Sequence, residues 1–201
     1  MLFEREGKVR KNQMVGPHEF LFSKRILFLY GGIDIVRVDF LGSTWLIDAL
    51  LALDLKSDRP IKLVINSPGG IIEEGLILYD TIKSLRSPLY TIGRSCQSLA
   101  AIILASGTQG HRYLYPNSRI MLHLPFGVLS GDSEEVGIQT KELMQAKNKL
   151  VEILIDNGVP KTPKAILKDI NREFWLSAEE AIKYGLADKI IDSEFWGVLN
   201  E

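Results

Sequence analysis

The chain has 201 residues, 46% of them hydrophobic, and its 24 Lys and Arg nearly balance 25 Asp and Glu, for a net charge of −1. That balance gives no electrostatic footprint for nucleic acid, and the length suits one domain with a sizeable core. The single cysteine, Cys96, excludes an intramolecular disulfide, and no Cys/His group has metal-ligand spacing, so no metal or cofactor is expected. The longest apolar run, Leu99 to Ala105, is far short of the ~20 residues that cross a bilayer. The opening residues Met1 to Lys8 mix charges and lack an apolar signal core, which leads to the expectation of a cytoplasmic protein without a membrane contact.

In chain order, Ile26 to Tyr30 reads as a short strand and Ser43 to Leu53 as an amphipathic helix. Ser57-Asp58-Arg59-Pro60 is a linker into a buried strand from Ile61 to Ile65. A tight turn at Pro68-Gly69-Gly70 leads into a helix from Ile71 to Leu85. Leu89 to Ile92 is the next strand, Ser98 to Ser106 a helix ended by Gly107, and Arg119 to Leu124 a strand. Such alternation implies a parallel sheet covered by helices.

After Pro125 the pattern changes. Phe126 to Gly131 is extended and glycine-punctuated, and Asp132 opens a long helix with Glu135 at capping-box spacing. Val136, Leu143, Leu150 and Leu154 give this helix an apolar stripe to about Asn157, which packs either on its own domain or on another copy. Thr162-Pro163 starts a short helix, and Ser177 to Glu180 caps another that stops at Gly185.

Three segments carry chemistry: the glycine pair in Asn66-Ser67-Pro68-Gly69-Gly70, Ser98 at the start of an apolar helix, and His123 inside the strand Ile120 to Pro125. Each alone has a plain structural reading, as a turn, an N-cap and a hydrogen-bonded core histidine. In this order they supply oxyanion donors, a nucleophile and a general base. The carboxyl ends of parallel strands bring such parts to one edge. Cys96, two residues from the serine, reads as a buried structural thiol.

Those segments, with Ser98-Leu99-Ala100-Ala101, Pro116 to Pro125, Trp175 to Ala181 and Tyr184 to Asp188, resemble the proteolytic subunit of Clp protease over about residues 24 to 192. The resemblance implies an α/β fold of ClpP/crotonase type, built of repeated β-α units with a protruding handle at about 126–157. It divides the chain into a variable segment 1–23, a single peptidase domain 24–195 and a tail 196–201. It further implies Ser98 as nucleophile, His123 as base, and the backbone N–H groups of Gly70 and Leu99 as the oxyanion hole. The expected substrates are unfolded proteins or peptides, cut by a serine endopeptidase inside heptameric rings stacked as a tetradecamer, with an AAA+ unfoldase as candidate partner.

The departures are specific. Where the family has an aspartate, this chain has Glu173, with Asp169 as a weaker candidate for the orienting acid. Cys96, Gln97 and Val128 replace smaller residues and imply a narrower substrate groove. Lys62, Val64 and Ser84 stand where the docking pocket has aromatic residues, while Tyr113 and Tyr115 keep aromatic character. A weakly active ring subunit or scaffold is the alternative these departures suggest. A crotonase-type acyl-CoA enzyme is disfavoured, because Ser98 and His123 together serve no purpose in enolate chemistry.

Overall fold

The computed structural model describes residues 16–34, 43–192 and 195. The expected segment 1–23 lies outside the described residues as far as residue 15, as does the expected tail 196–201. The elements in order are α1 (Pro17–Ser23), β1 (Ile26–Tyr30), α2 (Ser43–Lys56), β2 (Ile61–Ser67), α3 (Ile72–Ser84), β3 (Leu89–Gln97) and α4 (Leu99–Ala105). They continue with β4 (Arg112–Leu122), α5 (Ser133–Asp156), α6 (Pro163–Asp169), β5 (Phe174–Leu176), α7 (Ala178–Tyr184) and β6 (Lys189–Ile190).

Among the described residues the strands form one sheet in the order β1-β2-β3-β4-β5, with β6 also on β4. The first four are parallel, as the β-α alternation requires, and β5 returns antiparallel along the end of β4. Alternation along β2 sends Ile61, Leu63 and Ile65 into the main core, which α2, α3 and α4 cover, and Lys62 and Val64 to the opposite face. That second face carries a smaller cluster with Tyr90, Ile92, Tyr113 and Phe195.

Three strands are longer than the sequence reading. β2 runs on to Ser67 and β3 to Gln97, and β4 begins at Arg112, with Pro116-Asn117 taken up in a register shift between Gly93 and Ser95 of the partner strand. Ser118 stitches this irregularity by donating its hydroxyl to the Gly93 carbonyl at 2.8 Å. β4 stops at Leu122, so His123 is the first residue beyond the strand, not inside it.

The long helix is as expected, with Asp132 accepting hydrogen bonds from the N–H groups of Glu134 and Glu135 at 3.0 Å. The Glu135 side chain lies against Gly131 and does not close a capping box. Only its last turns are buried, at Val151, Ile153 and Leu154; Val136 and Leu143 are half-buried, and Ile138 and Met144 are exposed.

At the opposite end from the glycine turn, the buried Arg112 collects helix ends. Its Nη1 donates to the carbonyls of Asn157 (2.8 Å), Gly185 (3.0 Å) and Ala105 (3.4 Å), at the C-termini of α5, α7 and α4, while Nε and Nη2 grip Asp188 at 3.0 and 2.6 Å. Burial works to raise the Asp188 carboxyl, but the hydrogen bonds and charge of Arg112 outweigh it and hold the group below its ordinary value. Arg112→Met should therefore cost about 3–5 kcal/mol in urea unfolding, because it strands a part-buried carboxylate and three carbonyls. The Asp188 contribution should be complete above about pH 4 in the parent and lost as pH falls through the depressed folded value.

Candidate active site

Ser98 sits between β3 and α4 with φ 54° and ψ −124°, a conformation that L-residues rarely adopt. Its hydroxyl makes no cap hydrogen bond, so the N-cap reading of this serine does not describe it. Strain of this kind, roughly 1–3 kcal/mol, persists only where surroundings over-determine it. Here they do. The Ser98 N–H donates to the Met121 carbonyl at 2.7 Å, which ties the turn to the end of β4 two residues before His123. On its other side lies Gly69, with φ +87°; a Cβ there would stand 2.7 Å from the Gln97 carbonyl oxygen and 2.9 Å from the Leu99 nitrogen.

The glycine pair is fixed from the β1 side. Ile33 donates to the Gly69 carbonyl and accepts from the Ile71 N–H, both at 2.9 Å, as an isolated parallel bridge to Gly70. In that arrangement the N–H of Gly70 itself faces away from Ile33, toward the Ser98 side. A Cβ on Gly70 would overlap the Ile33 carbonyl. Leu99 opens α4, and the first N–H groups of a helix have no intrahelical partner.

Gly70, Ser98, Leu99 and His123 line one small cavity of about 30 Å³, closed by Ile72, Ile102, Leu122, Pro125, Leu150, Leu154 and Ile170, with Lys147 of α5 at its wall. Neither Gln97 nor Val128 is among the residues that line it: Gln97 donates to the Ser95 hydroxyl, and Val128 is 95% exposed. The His123 Nδ1 lies 2.6 Å from the Leu124 carbonyl oxygen. A carbonyl only accepts, so Nδ1 carries the proton and Nε2 keeps a free lone pair.

The two candidate acids are both engaged elsewhere. Glu173 accepts a hydrogen bond from the Trp175 indole N–H at 2.9 Å. Asp169 accepts from Lys161 (2.8 Å) and Tyr184 (3.1 Å), and the Lys161 hydrogen bond holds its carboxyl below the ordinary range. Sequence reasoning named Glu173 but missed Trp175, whose indole N–H two residues along the strand was the available signal. Cys96 is fully buried with its thiol against the Ile65 carbonyl, and burial pushes its pKa well up, which leaves it inert beside the serine. No group of His, Cys, Asp and Glu able to hold a metal occurs among the described residues.

A model of the Clp protease family matches residues 9–194. The chain is 40% identical over 176 residues to a protein of Arabidopsis thaliana named ATP-dependent Clp protease proteolytic subunit 4, chloroplastic, a match that covers 87% of this chain and 58% of that relative. It is 34% identical over 188 residues to the ATP-dependent Clp protease proteolytic subunit of Carsonella ruddii (strain PV), covering 92% of this chain and 93% of the relative. The α/β sheet, the glycine turn beside a strained serine and these likenesses agree: the chain belongs to the Clp protease family.

Proposed function

We propose that the protein is a serine endopeptidase of Clp type, which hydrolyses unfolded proteins or peptides in a chamber formed by its own rings. The observation that carries this is the strained Ser98, clamped between Gly69 and Met121 and sharing a cavity with His123. In this mechanism Nε2 of His123 takes the hydroxyl proton as Oγ of Ser98 bonds to the scissile carbonyl carbon. The N–H groups of Gly70 and Leu99 receive the oxyanion. The imidazolium then returns the proton to the leaving amine, and a water repeats the sequence to release the acyl group. Glu173 is the proposed acid that stabilises the imidazolium.

The apolar surface of the handle supports association. Phe126, Val128 and Leu129 are exposed on the extended segment, and Ile138 and Met144 on α5, with no cover among the described residues. Stacked heptameric rings would bury them. An AAA+ unfoldase is the proposed partner, at the aromatic face of Tyr90, Tyr113 and Tyr115; Lys62 lies buried in that face and is not displayed as a surface cation. The cytoplasm is the proposed compartment, although the Arabidopsis relative is named chloroplastic; no described helix is long and apolar enough to cross a membrane. The engagement of Glu173 by Trp175 favours one second reading, a ring subunit of low activity.

Three outcomes test these readings. A fluorophosphonate probe should label Ser98, and Ser98→Ala should abolish labelling and peptide cleavage without changing the native mass; labelling of Ser95 instead contradicts the assignment. Sedimentation at micromolar concentration should give a ring or double-ring mass, and Ile138→Glu should lower it; a monomer in the parent contradicts the assembly. Glu173→Gln should lower kcat by up to the ~10⁴ lost when a triad carboxylate becomes an amide, and cleavage at the parent rate would leave Glu173 a surface carboxylate.

A further inference from the structure

Glu173 lies at the edge of the β4–β5 ladder. The antiparallel register pairs Ile120 with Leu176, Met121 with Trp175 and Leu122 with Phe174, and there the ladder ends, with His123 the residue after it on one side and Glu173 the residue before it on the other. The two-residue period sets Glu173 on the face of Trp175, as the hydrogen bond between them requires.

We propose that Trp175 is a positioning residue that holds the Glu173 carboxylate off His123, so that the acid engages the imidazole only as this hydrogen bond is released. The inference rests on the peptidase reading above. Two contacts support it. The indole N–H donates to the Glu173 carboxylate at 2.9 Å, and the His123 N–H that an acid would receive is meanwhile given to the Leu124 carbonyl. Trp175 is the fixed member of the pair, held in the ladder opposite Met121 and beneath the Arg119 guanidinium, 5.7 Å from the ring centroid. Glu173 is exposed and just outside β5, and its extra methylene over aspartate gives it the reach for either neighbour.

The exchange favours the reacting state. In the resting enzyme the carboxylate trades one neutral N–H donor for another. Once His123 has taken the Ser98 proton, a carboxylate–imidazolium hydrogen bond is roughly twice as strong as a neutral one. Turning the carboxylate from Trp175 to His123 therefore gains strength as the barrier is climbed, and loss of the Trp175 bond beforehand should make catalysis easier.

Trp175→Phe keeps a ring under Arg119 and removes the donor. In the full-length protein it should raise kcat on a small fluorogenic peptide several-fold, on the order of fivefold for one such hydrogen bond. It should also move the acid limb of kcat/KM to higher pH, because a nearby carboxylate favours imidazolium. Adding Glu173→Gln should remove both changes. An unaltered kcat and pH profile in Trp175→Phe overturns the proposal, as does a fall in kcat with the limb unmoved. A second measurement is independent of both that variant and catalysis. With the other indole signals assigned through Trp45→Phe and Trp196→Phe, the Trp175 indole N–H resonance should shift on Glu173→Gln, and a resonance that stays in place also overturns it. If the parent shows no Ser98-dependent hydrolysis, the peptidase reading fails, while the indole resonance still reports on the hydrogen bond.

Discussion

The absence of a side chain at residue 69 is the constraint on which the site depends. Any Cβ there would collide with the turn from Gln97 to Leu99, so only glycine lets the end of β2 touch the serine turn. That contact and the hydrogen bond from Ser98 to Met121 close on the same residue from the two strands that flank β3, which is why its backbone keeps a costly conformation. Gly70, Ser98 and His123 thus hang on the ends of three adjacent parallel strands.

The other end of the sheet is organised differently. Arg25, just ahead of β1, gives its guanidinium to the carbonyls of Leu53, Ser57, Arg59 and Pro60, and Arg112, at the start of β4, binds three helix C-termini. Two buried cations satisfy carbonyls that would otherwise lie unpaired at the amino ends of the strands. The cavity shared by Gly70, Ser98 and His123 lies at the carboxyl ends. The helix α5 adds a third regime, since its last turns pack on the domain while its earlier turns carry exposed apolar residues, Ile138 and Met144.

Much of this was legible in the chain. β1, β2, α3, α5, α6 and α7 follow from apolar periodicity and caps, and Ser98, His123 and Gly70 line one cavity because the β-α order forces them to one edge. The failures have physical causes. Pro116-Asn117 breaks the pattern of β4 without ending it, since the extra residues are taken up as a register shift. β5 and β6, of three and two residues, are too short to show a period. The position of Glu173 followed from the motif, yet its partner did not, because the indole N–H two residues on offers a donor that the motif does not show.

The burial of Cys96 gives the protein an internal clock. The thiol sits beneath the serine turn, against the Ile65 carbonyl and behind Gly93, and is kept protonated by its surroundings. A water-soluble disulfide reagent can reach it only when β3 parts from its neighbours. Its modification rate under native conditions therefore reads the equilibrium for opening the sheet under Ser98, multiplied by the ordinary reactivity of a free thiol. One atom thus reports how firmly the scaffold holds the serine turn, without touching the turn itself.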